Sequence, residues 1–413
     1  MTSFNIPNTI QNIPSSIFRG CKKNGNIHLP SSISVIESDA FRDCSSLLKM
    51  CIPNSVSKIS ERAFCSCSSL IEISIPSSVT EIGKNTFWGC GSLIKITSVP
   101  KYISCFAKSI IKEFIIHPSV TTIEAHTFEK CTSLERISIP PSVTEIGEHA
   151  FDGCSSLIQI SPPPSVKIIH NYTFNNCSLL RSINIPPSVT EIGTRAFYGC
   201  SSLEAIKLPI SLVEIGDWAF AWCSKLKKIH IPSLVKGIGN NAFRSCKQLE
   251  KIIVDKDNQT FDSREDCNAI IYSETNSLII GCNKSTIPSS VVRVGWLAFT
   301  ACTSLKSIII PSSVIEIGSH AFEMCCSLEN LVIPYSIRVL DEYTFKGCKN
   351  IRNLTSHPSL INYFGKETIE EFTIPDEVYE IPSDCFNGCI SFKKITIPDS
   401  VIKIGDNAFY GCI

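Results

Sequence analysis

The sequence has no excess of either charge. Its 38 basic and 38 acidic residues leave a formal net charge of zero, and Lys and Arg form no long run. A polyphosphate partner needs a basic patch or stripe, so this balance argues against nucleic acid as the main partner and against an acidic membrane surface. No stretch approaches the about 18 continuous apolar residues of a membrane-spanning helix, which argues against membrane insertion. Also missing is any C-x-x-C pair of the kind that builds metal sites, although the chain of 413 residues holds 22 cysteines. The opening MTSFNIPNTIQNIP lacks a basic segment followed by an apolar core. Asn5, Pro7, Asn8 and Asn12 break any hydrophobic run, so it does not read as a conventional secretory signal, and by that sign alone the chain would be cytoplasmic.

What is present is repetition. The stretch IPPSVTEIGEHAFDGCSSL at Ile139 recurs from end to end, giving seventeen repeats, most of them about 23 residues apart. A period in the twenties held along a whole chain predicts a solenoid, in which each unit buries its apolar face only against its neighbours. One repeat reads L-x-x-I-x-I-P-x-S-V-x-x-I-x-x-x-A-F-x-x-C-x-S. The alternating part predicts a short strand ended by Pro, stacking in parallel from repeat to repeat. The β-branched pair Val143 and Ile146, followed by Gly147, predicts a second short strand. A-F-x-x-C is too short to be a stable helix alone. It is expected as one turn of α- or 3₁₀-helix on the convex side, with Phe and Cys facing inward at i and i+3.

Fifteen full repeats carry both this Phe and this Cys, from Phe18 and Cys21 to Phe409 and Cys412. A residue pair repeated at a fixed offset reads as a packed spine, and free Cys packs as a small hydrophobe. Strand spacing would bring neighbouring ladder thiols within disulfide range, but stacked side chains point in parallel and an odd number cannot pair completely. Of the other cysteines, Cys267 and Cys282 bracket a candidate hairpin and are the one pair expected to approach each other. In the vicinal pair Cys325 and Cys326, only the second falls outside the ladder. His126, His149 and His320 share one repeat position, which Asp39, Arg62 and Asn85 fill elsewhere, so it reads as surface rather than as a metal site. Serines recur at turn positions, where their hydroxyls can satisfy loop backbone groups. Glu81, Glu145, Glu191, Glu214 and Glu316 form an outward stripe. Nothing assembles into a catalytic constellation, a cofactor motif or a metal set, and the chain is not expected to be an enzyme.

The repeat pattern, over essentially the whole chain, resembles the BspA-type leucine-rich repeat of surface-associated proteins. The resemblance implies a leucine-rich repeat solenoid, mainly β. A parallel sheet would line its concave face, with second short strands and short helical turns on the convex side. It implies adhesion or protein binding at a cell surface, with an extracellular-matrix or host surface protein as one form of ligand, and no catalytic residues to carry over. Residues 1–413 are expected to form a single solenoid with a β-hairpin insertion at about 255–286, where AIIY and SLII flank Glu274, Thr275 and Asn276. Two short repeats, at about 102–119 and 360–377, share F-x-K-x-x-I-x-E-F and read as a local change of curvature or a binding bulge. Outward strand positions turn basic and then apolar in the second half. This makes Lys207, Lys228, His230, Lys251, Ile253, Ile309 and Val332 the candidate protein-binding residues. The alternative is an intracellular assembly protein acting through self-association of the solenoid. Neither the first repeat, in register from Ile6, nor the last, ending at Ile413, shows a polar cap, so self-association through the ends, or a longer natural protein of which this is a part, is also expected.

Overall fold

The computed structural model describes residues 4–22, 27–337 and 339–412. Ile413, at which the last repeat breaks off, lies outside them. Contacts divide the chain into two units, Met1–Leu203 and Glu204–Ile413.

In the first unit each repeat contributes to ladders of parallel backbone pairing. The longer strands, Lys49–Cys51, Glu72–Ser74, Lys95–Ser98, Glu113–Ile116 and Arg136–Ser138, form one five-stranded parallel sheet. They stop after three or four residues because proline and a hydrogen-bonded turn follow, as where Val56 N–H donates to Pro53 O at 3.0 Å. Shorter strands, such as Asn12–Ile13, Val35–Ile36, Lys58–Ile59 and Glu81–Ile82, form the second ladder. The turn serines tie repeat to repeat: Ser78 Oγ donates to Val56 O at 2.9 Å and Ser142 Oγ to Val120 O at 2.7 Å. Their role is backbone satisfaction, as the sequence indicates.

The A-F-x-x-C segment differs from expectation. Instead of a helical turn it is a run of tight turns, because the residues two before and two after Phe are left-handed, as at Asp39 (φ 58°) and Asp43 (φ 59°) around Phe41. A right-handed helix cannot pass through such residues. Alternate N–H groups then point along the stack: Asp39, Phe41 and Asp43 donate to Glu61, Ala63 and Cys65 of the next repeat at 3.1, 2.7 and 2.9 Å. This makes a third ladder of backbone hydrogen bonds. Inside it the Phe rings stack face to face, 5.2 Å from Phe18 to Phe41, 5.1 Å on to Phe64, and 5.3 and 5.5 Å from Phe151 to Phe128 and Phe174.

Helix of the 3₁₀ type appears at Pro100–Cys105 and Pro358–Tyr363, in the two short repeats. Each of these repeats lacks an A-F-x-x-C segment and therefore lacks the N–H donors of the third ladder. A lysine replaces two of them. Lys108 Nζ donates to Thr127 O and Glu129 O at 3.1 and 3.2 Å, and Lys366 Nζ to Cys385 O and Asn387 O at 3.2 and 3.1 Å. Phe106 keeps the aromatic row going, 4.7 Å from Phe87.

The second unit repeats this plan with one excursion. Strands Phe261–Asp262, Ile270–Tyr272 and Ser277–Ile280 pair antiparallel, and Ser277–Ile280 then pairs in parallel with Arg293–Val294. The returning strand thus joins the second ladder as a repeat would. Gly281 takes the place of a ladder Phe, its N–H donating to Ala298 O at 2.8 Å, while the Phe299 ring fills the space of a Cβ there. Asn283 bridges the splice: its Nδ2 donates to Lys247 O and Leu249 O at 2.8 and 3.2 Å, and its Oδ1 accepts from Ser304 N–H at 3.0 Å.

Candidate functional site

Side chains one position off the core on each long strand point outward, because successive strand residues face opposite sides. In the first unit this exposed row is electrically balanced. Lys49, Glu72, Lys95, Glu113 and Arg136 stand opposite one another in register. Neighbours are joined by ion pairs of 3.0, 3.4, 3.8 and 3.7 Å. The order of signs is what cross-strand pairing favours. It was visible in the sequence as the residue before each strand's inward Met50, Ile73, Ile96, Phe114 or Ile137, but only when read down the repeats.

The second unit breaks that order. Strands Lys228–Ile231 and Lys251–Val254 pair in parallel, setting Lys228 directly opposite Lys251 and His230 opposite Ile253. Like charges facing each other on adjacent strands are destabilising. Both lysines are exposed and form no ion pair among the described residues. Ile229, Ile231, Ile252 and Val254 point into the core and hold the outward four in place. His230 Nε2 lies 4.0 Å from Asp255, and Ile253 is half-buried.

The candidate residues therefore fall into separate groups. Lys228, His230, Lys251 and Ile253 share one two-stranded sheet. Lys207 is exposed one repeat earlier, in a segment that forms no strand. Ile309 and Val332 face each other on another sheet, that of Ser307–Ile309, Asn330–Val332, Asn353–Thr355, Glu371–Thr373 and Lys394–Thr396. The expected continuous basic-to-apolar row is interrupted, since the hairpin segment takes the next place after Lys251–Val254 in the chain and sends its strand to the other ladder. Ile309 is 63% exposed, an unusual position for a large aliphatic side chain in a strand, and Val332 beside it is half-buried.

Other candidate chemistry resolves into structure. Ladder thiols donate to the Phe carbonyl of the preceding repeat: Cys44 to Phe18 O at 2.9 Å, Cys154 to Phe128 O at 3.1 Å and Cys325 to Phe299 O at 3.2 Å. Burial pushes Cys131 and Cys389 up to about 11 and Cys246 up to about 12, the opposite of an activated thiol. Cys267 and Cys282 are both buried free thiols, the latter donating to Asn268 O at 3.3 Å. Cys326, outside the ladder, is half-exposed. His126 and His149 stack at 4.7 Å and His149 and Tyr172 at 4.5 Å, with Nδ1 of each His 2.9 Å from Glu129 and Asp152 respectively. Three or more metal-ligating side chains come together nowhere among the described residues. No helix among them is long and apolar enough to cross a membrane.

Backbone ladders with a step in the twenties, a stacked Phe spine and an outward strand face define a leucine-rich repeat solenoid, the fold of protein-interaction scaffolds. The family described as BspA type Leucine rich repeat region matches residues 1–104, 101–201, 179–269, 270–368 and 361–413 in six copies. The chain belongs to the BspA-type leucine-rich repeat family. Among solved structures it is similar to a leucine rich cell surface protein of Faecalibacterium prausnitzii A2-165, with 28% identity over 84% of this chain and 86% of that one and a TM-score of 0.49. It is also similar to a leucine-rich repeat protein of Bacteroides ovatus ATCC 8483, with 27% identity over 100% of this chain and 85% of that one and a TM-score of 0.44. No curated protein matches it.

Proposed function

We propose that the chain is a non-catalytic protein-recognition or adhesion scaffold, displayed at a cell surface, that binds a partner protein on the outward face of its long strands. The observation that carries this reading is the exposed aliphatic pair Ile309 and Val332, facing each other on adjacent strands of a sheet whose core positions are otherwise filled. A rigid sheet presenting an aliphatic pair between polar neighbours is the kind of centre around which interfaces form. The reading takes residues 1–413 as one solenoid. Its support is a repeat that keeps its step through both units. Surface display is supported by the resemblance to surface-associated proteins and is tested by biotinylating intact cells of the source organism.

The binding test uses the whole chain, immobilised and challenged with matrix proteins and cell-surface extract. Changing Ile309 and Val332 together to Ser removes the aliphatic pair without touching the core. The expected outcome is at least a tenfold loss of affinity for the captured partner, with an unchanged melting curve. Equal binding by the double variant would place the footprint elsewhere.

A further inference from the structure

We infer that the face built by Lys228, Lys251, His230 and Ile253 is a receptor for an extended acidic segment of a partner protein. The segment presents a carboxylate followed, two residues on, by an aliphatic side chain. This rests on the scaffold reading and adds the chemistry of the partner.

The two exposed rows differ in how their charges are met. In the first unit every charged residue of the row from Lys49 to Arg136 is neutralised by its strand neighbour. At Lys228 and Lys251 two lysines instead stand opposite each other on strands about 4.8 Å apart, with no ion pair to either among the described residues. A carboxylate has two oxygens and bridges such a pair, restoring the alternation that the other sheet builds internally. Nothing in the backbone forces the lysines together, since Glu72 and Glu113 occupy the same strand position elsewhere.

The surroundings select the kind of anion. Glu250, exposed beside Lys251 and paired to Lys284 at 2.6 Å, borders the lysines on one side. Asp255 borders the His230 end. A long polyanion such as nucleic acid or a sulfated polysaccharide would run its further charges past Asp255, which pairs with no Lys or Arg among the described residues, whereas one carboxylate fits over the lysines. Two residues along the strands, about 6.8 Å away, the outward pair changes from charged to His230 and half-buried Ile253. An extended partner segment repeats its own side chains at that interval on one face. A Glu or Asp over the lysines therefore sets a Val, Leu or Ile over Ile253.

The test uses the full chain labelled at isoleucine methyls, with Ile253 as reporter. It is titrated with acetyl-Gly-Glu-Ser-Val-Gly-amide, with the versions carrying Gln for Glu or Ser for Val, and with dextran sulfate. The expected result is a saturable shift of the Ile253 methyl with the acidic peptide, at least tenfold weaker with Gln and at least threefold weaker with Ser. Both residues being exposed, Lys228→Glu with Lys251→Glu should leave the melting curve unchanged and abolish the shift. The inference is overturned by a Gln peptide that binds within threefold of the acidic one, by an unaffected double variant, by no shift at all, or by dextran sulfate binding there while the peptide does not. A chain that captures partners through Ile309 and Val332 yet ignores the peptide sinks this inference alone. Peptide binding by a chain that captures no protein sinks the scaffold reading alone.

Discussion

Replacing Phe151 by alanine takes one ring out of the middle of the aromatic row. Phe151 is fully buried, and the rings of Phe128 and Phe174 lie 5.3 and 5.5 Å away on its two sides. A buried Phe→Ala change costs about 3–5 kcal/mol, with the spread set by how far the surroundings collapse into the gap. Collapse is restricted here. The backbone on both sides is pinned by Phe128 N–H to Ala150 O at 2.8 Å and Phe151 N–H to Thr173 O at 2.9 Å, so the neighbouring rings cannot slide along the stack. Two stacked ring contacts are lost as well, each contributing about 0.5–1.5 kcal/mol beyond area burial. A value near 4 kcal/mol follows, or about a thousandfold in the opening equilibrium. Because a repeat contacts only its neighbours, the loss should stay local. Hydrogen exchange read by mass spectrometry checks this. Protection should fall by two to three decades, in round terms of about 10²–10³, at the amides of Phe128, Phe151 and Gly153 and stay unchanged at Phe41 and Phe64. A uniform loss through residues 4–203, or a local loss under about tenfold, would refute the nearest-neighbour account.

Thiol titration of the native chain should label few cysteines, with most of the 22 appearing only after denaturation. The same thiols make stability depend on alkaline pH: unfolded thiols ionise near 9, while Cys131 and Cys389 hold their protons to about 11 in the folded chain. Between these values the unfolded state binds fewer protons, so urea midpoints should be flat below pH 9 and fall from 9 to about 11. Cys131→Ala should make that fall shallower, and an equal slope would count against the assignment. Lys108→Met leaves Thr127 O and Glu129 O without their donor and should cost about 1–3 kcal/mol, measured by chemical denaturation; a neutral result would show that water replaces the ammonium. Gly281→Ala drives a methyl into the Phe299 ring and should destabilise the hairpin splice by about 1–3 kcal/mol, seen as faster exchange at Gly295 and Phe299 with none at Phe386.

The inward spine was legible because its residues recur: Phe and Cys at a fixed offset have no reading other than packing once fifteen copies are aligned. The path of the backbone around them was not. Left-handed residues stand on both sides of Phe, and the one after it is glycine in some repeats, as at Gly20, Gly89 and Gly153, but Asp43, Lys130 and Trp222 fill it in others. The one before it is Asp39, Arg62, His149, Tyr172 or Trp218, so no glycine recurs in every repeat to announce the turn. The enrichment of Asn, Asp and His at such angles is a weak signal that was available. Lys228, His230, Lys251 and Ile253 could be grouped from strand alternation alone. Lys207 and the pair Ile309 and Val332 could not be placed with them or apart from them, since that depends on which ladder the hairpin's last strand joins. F-x-K was visible as a doubled block, yet the task of its lysine depends on carbonyls in the following repeat that no local pattern reveals.

That lysine has a consequence for how such a gene can change length. Short repeats span eighteen residues where most of the others span 23, a deletion of five that removes the A-F-x-x-C segment and its donors to the third ladder. In most folds a frame-preserving loss of that size would strand polar backbone in the interior. Here Lys108 and Lys366 close the gap with a single flexible side chain, and the strands before and after stay in register. Unequal recombination between repeats therefore has an outlet: a shortened copy survives provided it carries F-x-K, and can then be duplicated as a module in its own right.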